Sequence, residues 1–213
     1  MTRLIFIRHG ESLGNAQRRF LGHTDWDLSE KGYVQAQRTA EYLENTHIDV
    51  IYSSDLLRAY NTVAPVARQR GLCIVKDTSL REIFAGKWEG MGFDDIQVAY
   101  PEGHKTWLED IGRAVCDGGE SVAHLQERVN LAVKKIVAEN KGKTVCIGTH
   151  ATPIRTMLCI WQNLPLSEAK NINWVTNASV TVVDYDDDGS FKLVQAGYAE
   201  HLADICSDKL KNI

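Results

Sequence analysis

Apolar residues along the chain follow two alternating patterns. Short unbroken runs read as buried strands: residues 4–7 (Leu4, Ile5, Phe6, Ile7), 49–53, 73–75, 144–148 and 179–185. Between them, apolar positions recur every three or four residues, the spacing of one helix face. Tyr33, Ala36, Ala40 and Leu43 mark such a face, in a helix capped by Ser29, with Glu30 in its first turn, ending near Asn45. A second helix is predicted over 56–70, capped by Ser54 and Asp55, stopped by Gly71 and bent at Pro65. Val122, Leu125, Val129, Val133, Ile136 and Val137 mark a third, which starts at Glu120-Ser121 and runs to Asn140. A fourth spans about 153–161, with Pro153 in its first turn. Asp186-Asp187-Asp188-Gly189 forms a turn, and residues 191–194 pair back as a hairpin.

Strand and helix alternate, which predicts an α/β fold: a three-layer αβα sandwich whose sheet is mostly parallel, with an antiparallel edge strand from the final hairpin. Residues 15–27 read as a loop. Residues 80–119 are the least regular part of the chain, with helical pieces near 93–99 and 106–111. That segment reads as a cap-like insertion around 83–119 in a single domain spanning 1–213. The tail after Tyr198 is mixed and expected to be poorly ordered. There is no internal repeat, low-complexity run or linker.

Composition narrows the function classes. The chain has 213 residues, 44% hydrophobic and 24% charged, enough to bury one core. A formal net charge of -4 argues against a general nucleic-acid partner. No apolar run is long enough to span a bilayer, so no membrane association is expected. The first apolar stretch is about four residues, short of the roughly 7–15 of a signal-peptide core, and Arg8 ends it. The five cysteines, Cys73, Cys116, Cys146, Cys159 and Cys206, form neither a disulfide framework nor a zinc pattern. Reduced, packed thiols in a cytoplasmic protein fit best. The acidic run 184–188 lacks the spacing of a calcium loop and reads as a solvated turn.

Candidate chemistry gathers where the strands end. Arg8, His9 and Gly10 terminate the first strand, a costly choice for packing alone. Gly10 permits a tight turn or a close approach of the backbone to a ligand. Arg58 lies early in the helix after the second strand, Glu82 follows the third, and His150 follows the fourth. Each has an ordinary reading: a solvated arginine, a loop salt bridge, a hydrogen-bonded core histidine. In a parallel sheet all of them reach one carboxyl-terminal edge, where α/β proteins bind ligands. Two arginines offer planar forks for phosphoryl oxygens. Two imidazoles and a carboxylate offer a nucleophile and an acid–base pair. Metal ligation by His9, His150 and Glu82 is the competing chemistry, disfavoured because two arginines would repel the cation.

The stretch from Leu4 to Ser12, with Asn15 following, resembles the signature of the histidine phosphatase superfamily, the phosphoglycerate-mutase-like proteins. Gly22-His23-Thr24-Asp25 with Leu28 to Gly32, then Tyr52 to Ala59, resemble further segments in the family's order. Leu80-Arg81-Glu82-Ile83 with Gly86 to Gly90, Gly119-Glu120-Ser121, and Thr149-His150 with Pro153-Ile154-Arg155 continue that order. The resemblance implies that His9 is the nucleophile and forms a phosphohistidine. It implies that Arg8, Arg58 and His150 hold the transferring group, with Asn15 assisting, and that Gly22 and Ala151 border the substrate. Glu82 would protonate the leaving oxygen, then deprotonate the incoming water or alcohol. Physics agrees with these roles: nearby arginines keep His9 neutral, and a partly buried acidic neighbourhood would favour a protonated Glu82. The family commonly has Gly where this chain has Ala151, a difference that bears on substrate fit.

The implied activity is that of a phosphoric monoester hydrolase of the histidine acid phosphatase type, acting on a small-molecule phosphate monoester without metal or cofactor. Ala151-Thr152 after the last histidine, and the chain length, resemble the phosphatase branch, which includes α-ribazole phosphatases, more than the mutases. Phosphoglycerate mutase-type transfer and a non-catalytic phosphate binder are the alternatives. Trp88, Phe93, Tyr100, His104 and Trp107 either stack on a substrate ring or form the core of the cap. His23, Arg81, Lys87 and Lys105 either meet a second anionic group or are ordinary surface charges. Oligomeric state leaves no mark in the sequence.

Overall fold

The computed structural model describes residues 1–206. Six strands form one sheet in the order β3-β2-β4-β1-β5-β6. β1 (Thr2–Arg8), β2 (Val50–Ser53), β3 (Ile74–Lys76) and β4 (Thr144–Thr149) pair in parallel. β5 (Val180–Tyr185) runs antiparallel to both β1 and β6 (Phe191–Tyr198). β5 is internal and pairs antiparallel on both sides, and β6, which extends four residues beyond 194, forms the expected antiparallel edge.

The apolar alternation of β1 builds both cores at once, because successive side chains point to opposite faces. Leu4 and Phe6 join Val145, Ile147 and Val183 against α6 (Val122–Glu139) and α7 (Ala151–Trp161). Ile5 and Ile7 join Ile51, Cys146 and Val180 against α2 (Glu30–Tyr42) and α3 (Leu57–Arg70). The result is the expected helix–sheet–helix arrangement.

Several local expectations are corrected. The stretch read as loop contains a one-turn helix, α1 (Leu13–Ala16), closed by a reciprocal capping box between Ser12 and Asn15. Ser29 caps α2, but Tyr33 is exposed and donates its hydroxyl to Asp27 instead of joining the buried face. Ser54 and Asp55 do not cap α3, whose first residue follows Leu56 and has no side-chain cap. Gly71 does end it, in the left-handed conformation at φ 63°. α7 begins at Ala151, so His150 stands at its N-cap.

Residues 83–119 contain α4 (Phe93–Ala99) and α5 (Pro101–Glu109), the latter five residues earlier than its sequence pattern suggested. The tail is packed as far as it is described. Leu202 is buried, His201 meets Thr39, and Gln35 donates to the carbonyl of Ile205. The rest of the predicted tail lies outside the described residues. The acidic run forms the expected hairpin turn, with Asp184 paired to Arg3 at 2.7 Å. Cys116, Cys146 and Cys159 are buried, and burial pushes the Cys116 and Cys146 thiols up to about 12. Among the described residues no helix is long and apolar enough to cross a membrane.

Candidate active site

Register brings the strand ends together. Arg8 is level with Thr149, and Ser53 is level with Gly148. Beyond this edge lies a cleft of about 90 Å³ lined by Arg8, His9, Asn15, Gly22, Arg58, Glu82 and Ala151, among others.

His9 leaves β1 with its N–H bonded to the Thr149 carbonyl at 2.9 Å, and its own carbonyl accepts from Asn177 Nδ2 at 2.9 Å. Its Nδ1 lies 2.7 Å from the Gly10 carbonyl oxygen. A carbonyl only accepts, so Nδ1 carries the ring proton and Nε2 keeps its lone pair. Burial, reinforced by the charges of Arg58 and Arg8, holds His9 well below the ordinary histidine value of 6.5. Gly10 serves a close approach, but to protein and not to ligand: a Cβ there would meet the Gly32 carbonyl of α2 at 2.7 Å.

Arg8 and Arg58 are almost fully buried. Arg8 donates to the Val175 carbonyl, and Arg58 donates to Thr24 O at 2.8 Å and Gly22 O at 2.6 Å. Burial lowers both guanidiniums to about 10, opposed in each case chiefly by the charge of Glu82. They remain cationic at neutral pH. Nε of Arg8, Nε of Arg58 and Nδ1 of His150 are buried without a hydrogen-bond partner among the described residues. Unmet buried polar groups cost about 1–3 kcal/mol each.

Glu82 is half-buried, with one carboxylate oxygen accepting from Ile83 N at 2.8 Å and the other from Thr152 N at 3.3 Å. His150 is fully buried and stands behind the cleft wall, its ring centroid 5.1 Å from that of His9. Its Nε2 meets Ser54 Oγ at 2.8 Å, and burial holds it well below 6.5, aided by the charge of Arg58. Asn15 uses its Oδ1 to accept from Ser12 and from Asn177 Nδ2 while lining the cleft. Gly22 lines the cleft in the left-handed conformation at φ 52°, and Ala151 forms part of the wall as the first residue of α7.

The proposed second-anion residues are engaged elsewhere. Arg81 pairs with Asp55, Lys87 with Asp117 at 2.8 Å, and His23 Nε2 donates to the Glu82 carbonyl at 2.9 Å. Neither they nor Lys105 lines the cleft. The aromatics divide: Trp88 is buried and edge-on to Phe20 and Trp107, whereas Phe93 and Trp107 also face the cleft. Sequence reasoning missed Arg18, Arg19, Phe20, Leu21, Thr152 and Trp174 on the wall, and Ser54 behind it. The dibasic Arg18-Arg19 pair just after Asn15 was the available signal. Trp174, in an irregular stretch, offered none.

Such a site, with two buried guanidiniums around a neutral imidazole at the carboxyl edge of an α/β sheet, can hold an oxyanion against a nucleophile. The chain belongs to the histidine phosphatase superfamily (branch 1), matched over residues 4–197. It is 35% identical over 187 residues to phosphoserine phosphatase 1 of Hydrogenobacter thermophilus, covering 88% of each chain. It is 32% identical to glucosyl-3-phosphoglycerate phosphatase of Mycobacterium tuberculosis, covering 84% of this chain and 83% of that one. It spans about half the length of mycobacterial relatives that are 34% identical, one of them a bifunctional protein. Among solved structures, Bacillus stearothermophilus YhfR superposes with a TM-score of 0.91 at 32% identity, covering 95% of this chain and all of that one.

Proposed function

We propose that this chain hydrolyses the phosphate monoester of a small metabolite through a phosphohistidine at His9, without a metal. The observation that carries the reading is the Nδ1–H bond from His9 to Gly10 O, which leaves Nε2 as the lone-pair nitrogen in a cleft lined by Arg8, Arg58 and Glu82. The phosphatases among the relatives support hydrolysis as the outcome.

In the first step Nε2 attacks phosphorus while the bond to the ester oxygen breaks, and Glu82 gives that oxygen its proton. The arginines compensate the charge of the non-bridging oxygens, with Asn15 beside them and His150 behind. In the second step Glu82 takes a proton from water, whose oxygen attacks the phosphohistidine, and inorganic phosphate leaves. Arg8 and Arg58 supply the positive charge that a divalent ion would otherwise bring, and they would repel one. In this reading residues 1–213 work as one domain in the cytoplasm, with residues 83–119 roofing the cleft through Phe93 and Trp107.

The test is phosphate release, in EDTA, from an aryl phosphate, a nucleotide, ribazole phosphate and 3-phosphoglycerate, with a parallel assay for 2-phosphoglycerate. Hydrolysis that survives EDTA is expected. Isomerisation with little phosphate release would make the protein a mutase, and loss of turnover in EDTA would remove the metal-free mechanism.

A further inference from the structure

Arg58 is buried and held by two backbone carbonyls, Gly22 O and Thr24 O, both on the loop after α1. A loop is a soft support for a buried cation, unless something fixes the loop. Here, beside the His23 ring on the Glu82 carbonyl and Asp25 accepting from Leu57 N, the side chain that meets residues 23 and 24 directly is Glu89. Glu89 Oε1 accepts from His23 N at 2.8 Å and Ala85 N at 3.0 Å. Glu89 Oε2 accepts from Thr24 N at 2.7 Å and Thr24 Oγ1 at 2.6 Å. One carboxylate thus receives four donors, three of them from the two residues that immediately follow Gly22. Hydrogen bonds to a charged acceptor are the stronger kind. The His23 N bond fixes the peptide plane whose Gly22 carbonyl faces Arg58, and the two Thr24 bonds hold the residue that carries the other carbonyl.

The fit is close. A Cβ on Gly22 would stand 2.3 Å from Glu89 Oε1 and 2.7 Å from the Ala85 Cβ, and φ at Gly22 is +52°. The carboxylate therefore reaches the loop only because residue 22 has no side chain. Its charge also acts on Arg58 through space, favouring the cationic guanidinium.

We propose that Glu89 is a positioning residue for Arg58: it clamps the 22–24 loop so that the Gly22 and Thr24 carbonyls hold the guanidinium on the transferring phosphoryl group. Glu89 does not line the cleft. The proposal rests on the reading of Arg58 as a phosphoryl-binding group.

A double-mutant cycle tests it. The E89A, R58A and E89A/R58A variants would be compared with wild type in kcat/KM for an aryl phosphate and in calorimetric binding of inorganic phosphate. Coupled residues give non-additive losses. E89A alone should lower kcat/KM and phosphate affinity by about 10- to 100-fold, the scale of one charge-assisted contact. In the R58A background the same change should cost less than about threefold. Equal losses in both backgrounds, or no loss from E89A in a folded protein, would overturn the proposal.

E89Q keeps one acceptor oxygen and loses the other, so it retains about half of the clamp and provides a variant that folds if E89A does not. It should fall between wild type and E89A in phosphate affinity, and an unchanged affinity would count against the clamp. A wild-type protein that binds phosphate but turns over no ester would remove the hydrolase reading while leaving the phosphate-binding cycle to decide the clamp. A wild-type protein that binds no phosphate would remove both.

Discussion

β1 and β4 lie side by side, and each is followed directly by a histidine, yet the two histidines stand in opposite positions. His9 is followed by Gly10 and a turn that packs on α2, and its ring gives its Nδ1 proton to the next carbonyl. Nε2 is then a bare lone pair beside the cleft. His150 is followed directly by α7, is fully buried, and directs its Nε2 at Ser54 Oγ. The same apolar run followed by histidine thus leaves a free ring nitrogen beside the cleft at one strand end, the proposed nucleophile, and a fully buried ring at the other. The difference lies in which ring nitrogen is engaged, Nδ1 by a backbone carbonyl in His9 and Nε2 by a side-chain hydroxyl in His150, and in what the next residue allows the chain to do.

The sharpest way to break this asymmetry is to remove each imidazole. His9→Ala should lower kcat by about 10⁴-fold or more, since loss of a nucleophile removes the covalent route. His150→Asn should cost roughly 10²–10³-fold, the scale of one stabilising donor, and should still allow His9 to be phosphorylated. If steady-state rates showed His150→Asn to be the more damaging change, the roles would have to be exchanged.

Glu82→Gln comes next. Rates on alkyl phosphates should fall about 10²- to 10⁴-fold, and rates on aryl phosphates much less, because a good leaving oxygen needs little protonation. Equal losses across a leaving-group series would take Glu82 out of the acid role.

The pH dependence of stability separates the buried rings from ordinary ones. Both His9 and His150 have folded pKa values well below the unfolded value near 6.5. Above 6.5 neither state takes up the proton, so their contribution to stability is fully present. Below 6.5 the unfolded chain binds the proton and the folded chain does not, so stability falls by about 1.4 kcal/mol per pH unit for each ring. Denaturant titrations of wild type and His150→Asn should differ in slope by little at pH 7.5 and by about one proton near pH 5.5. Parallel slopes would mean that His150 charges freely in the folded protein. The smallest effect is expected from Ser54→Ala, which removes the His150 Nε2 partner. About 1 kcal/mol of stability and a few-fold loss of rate should follow, measured by the same titrations and by kcat.

Much of this site was legible because its pieces sit where local patterns change. An apolar run that ends in Arg8-His9-Gly10, or in Thr149-His150, marks a strand end without knowledge of its neighbours. Helix α3 was visible from its spacing, and with it the approximate place of Arg58. Supports that join distant segments carry no such period. Ser54 looked like a helix cap and instead faces His150, 96 residues away. Glu89 looked like part of a loop motif and instead reaches residues 23 and 24. The roof was ambiguous for a related reason: Trp88 and Trp107 belong to one aromatic cluster, but only the packing shows that Trp107 also reaches the cleft.

The most direct measurement is to trap the intermediate. Rapid acid-free quenching with a fast aryl phosphate, followed by ³¹P NMR and peptide mapping, should find acid-labile phosphate on Nε2 of His9, absent in His9→Ala. Phosphate on Nδ1, on His150, or on no residue during rapid turnover would contradict the assignment that the Gly10 hydrogen bond makes.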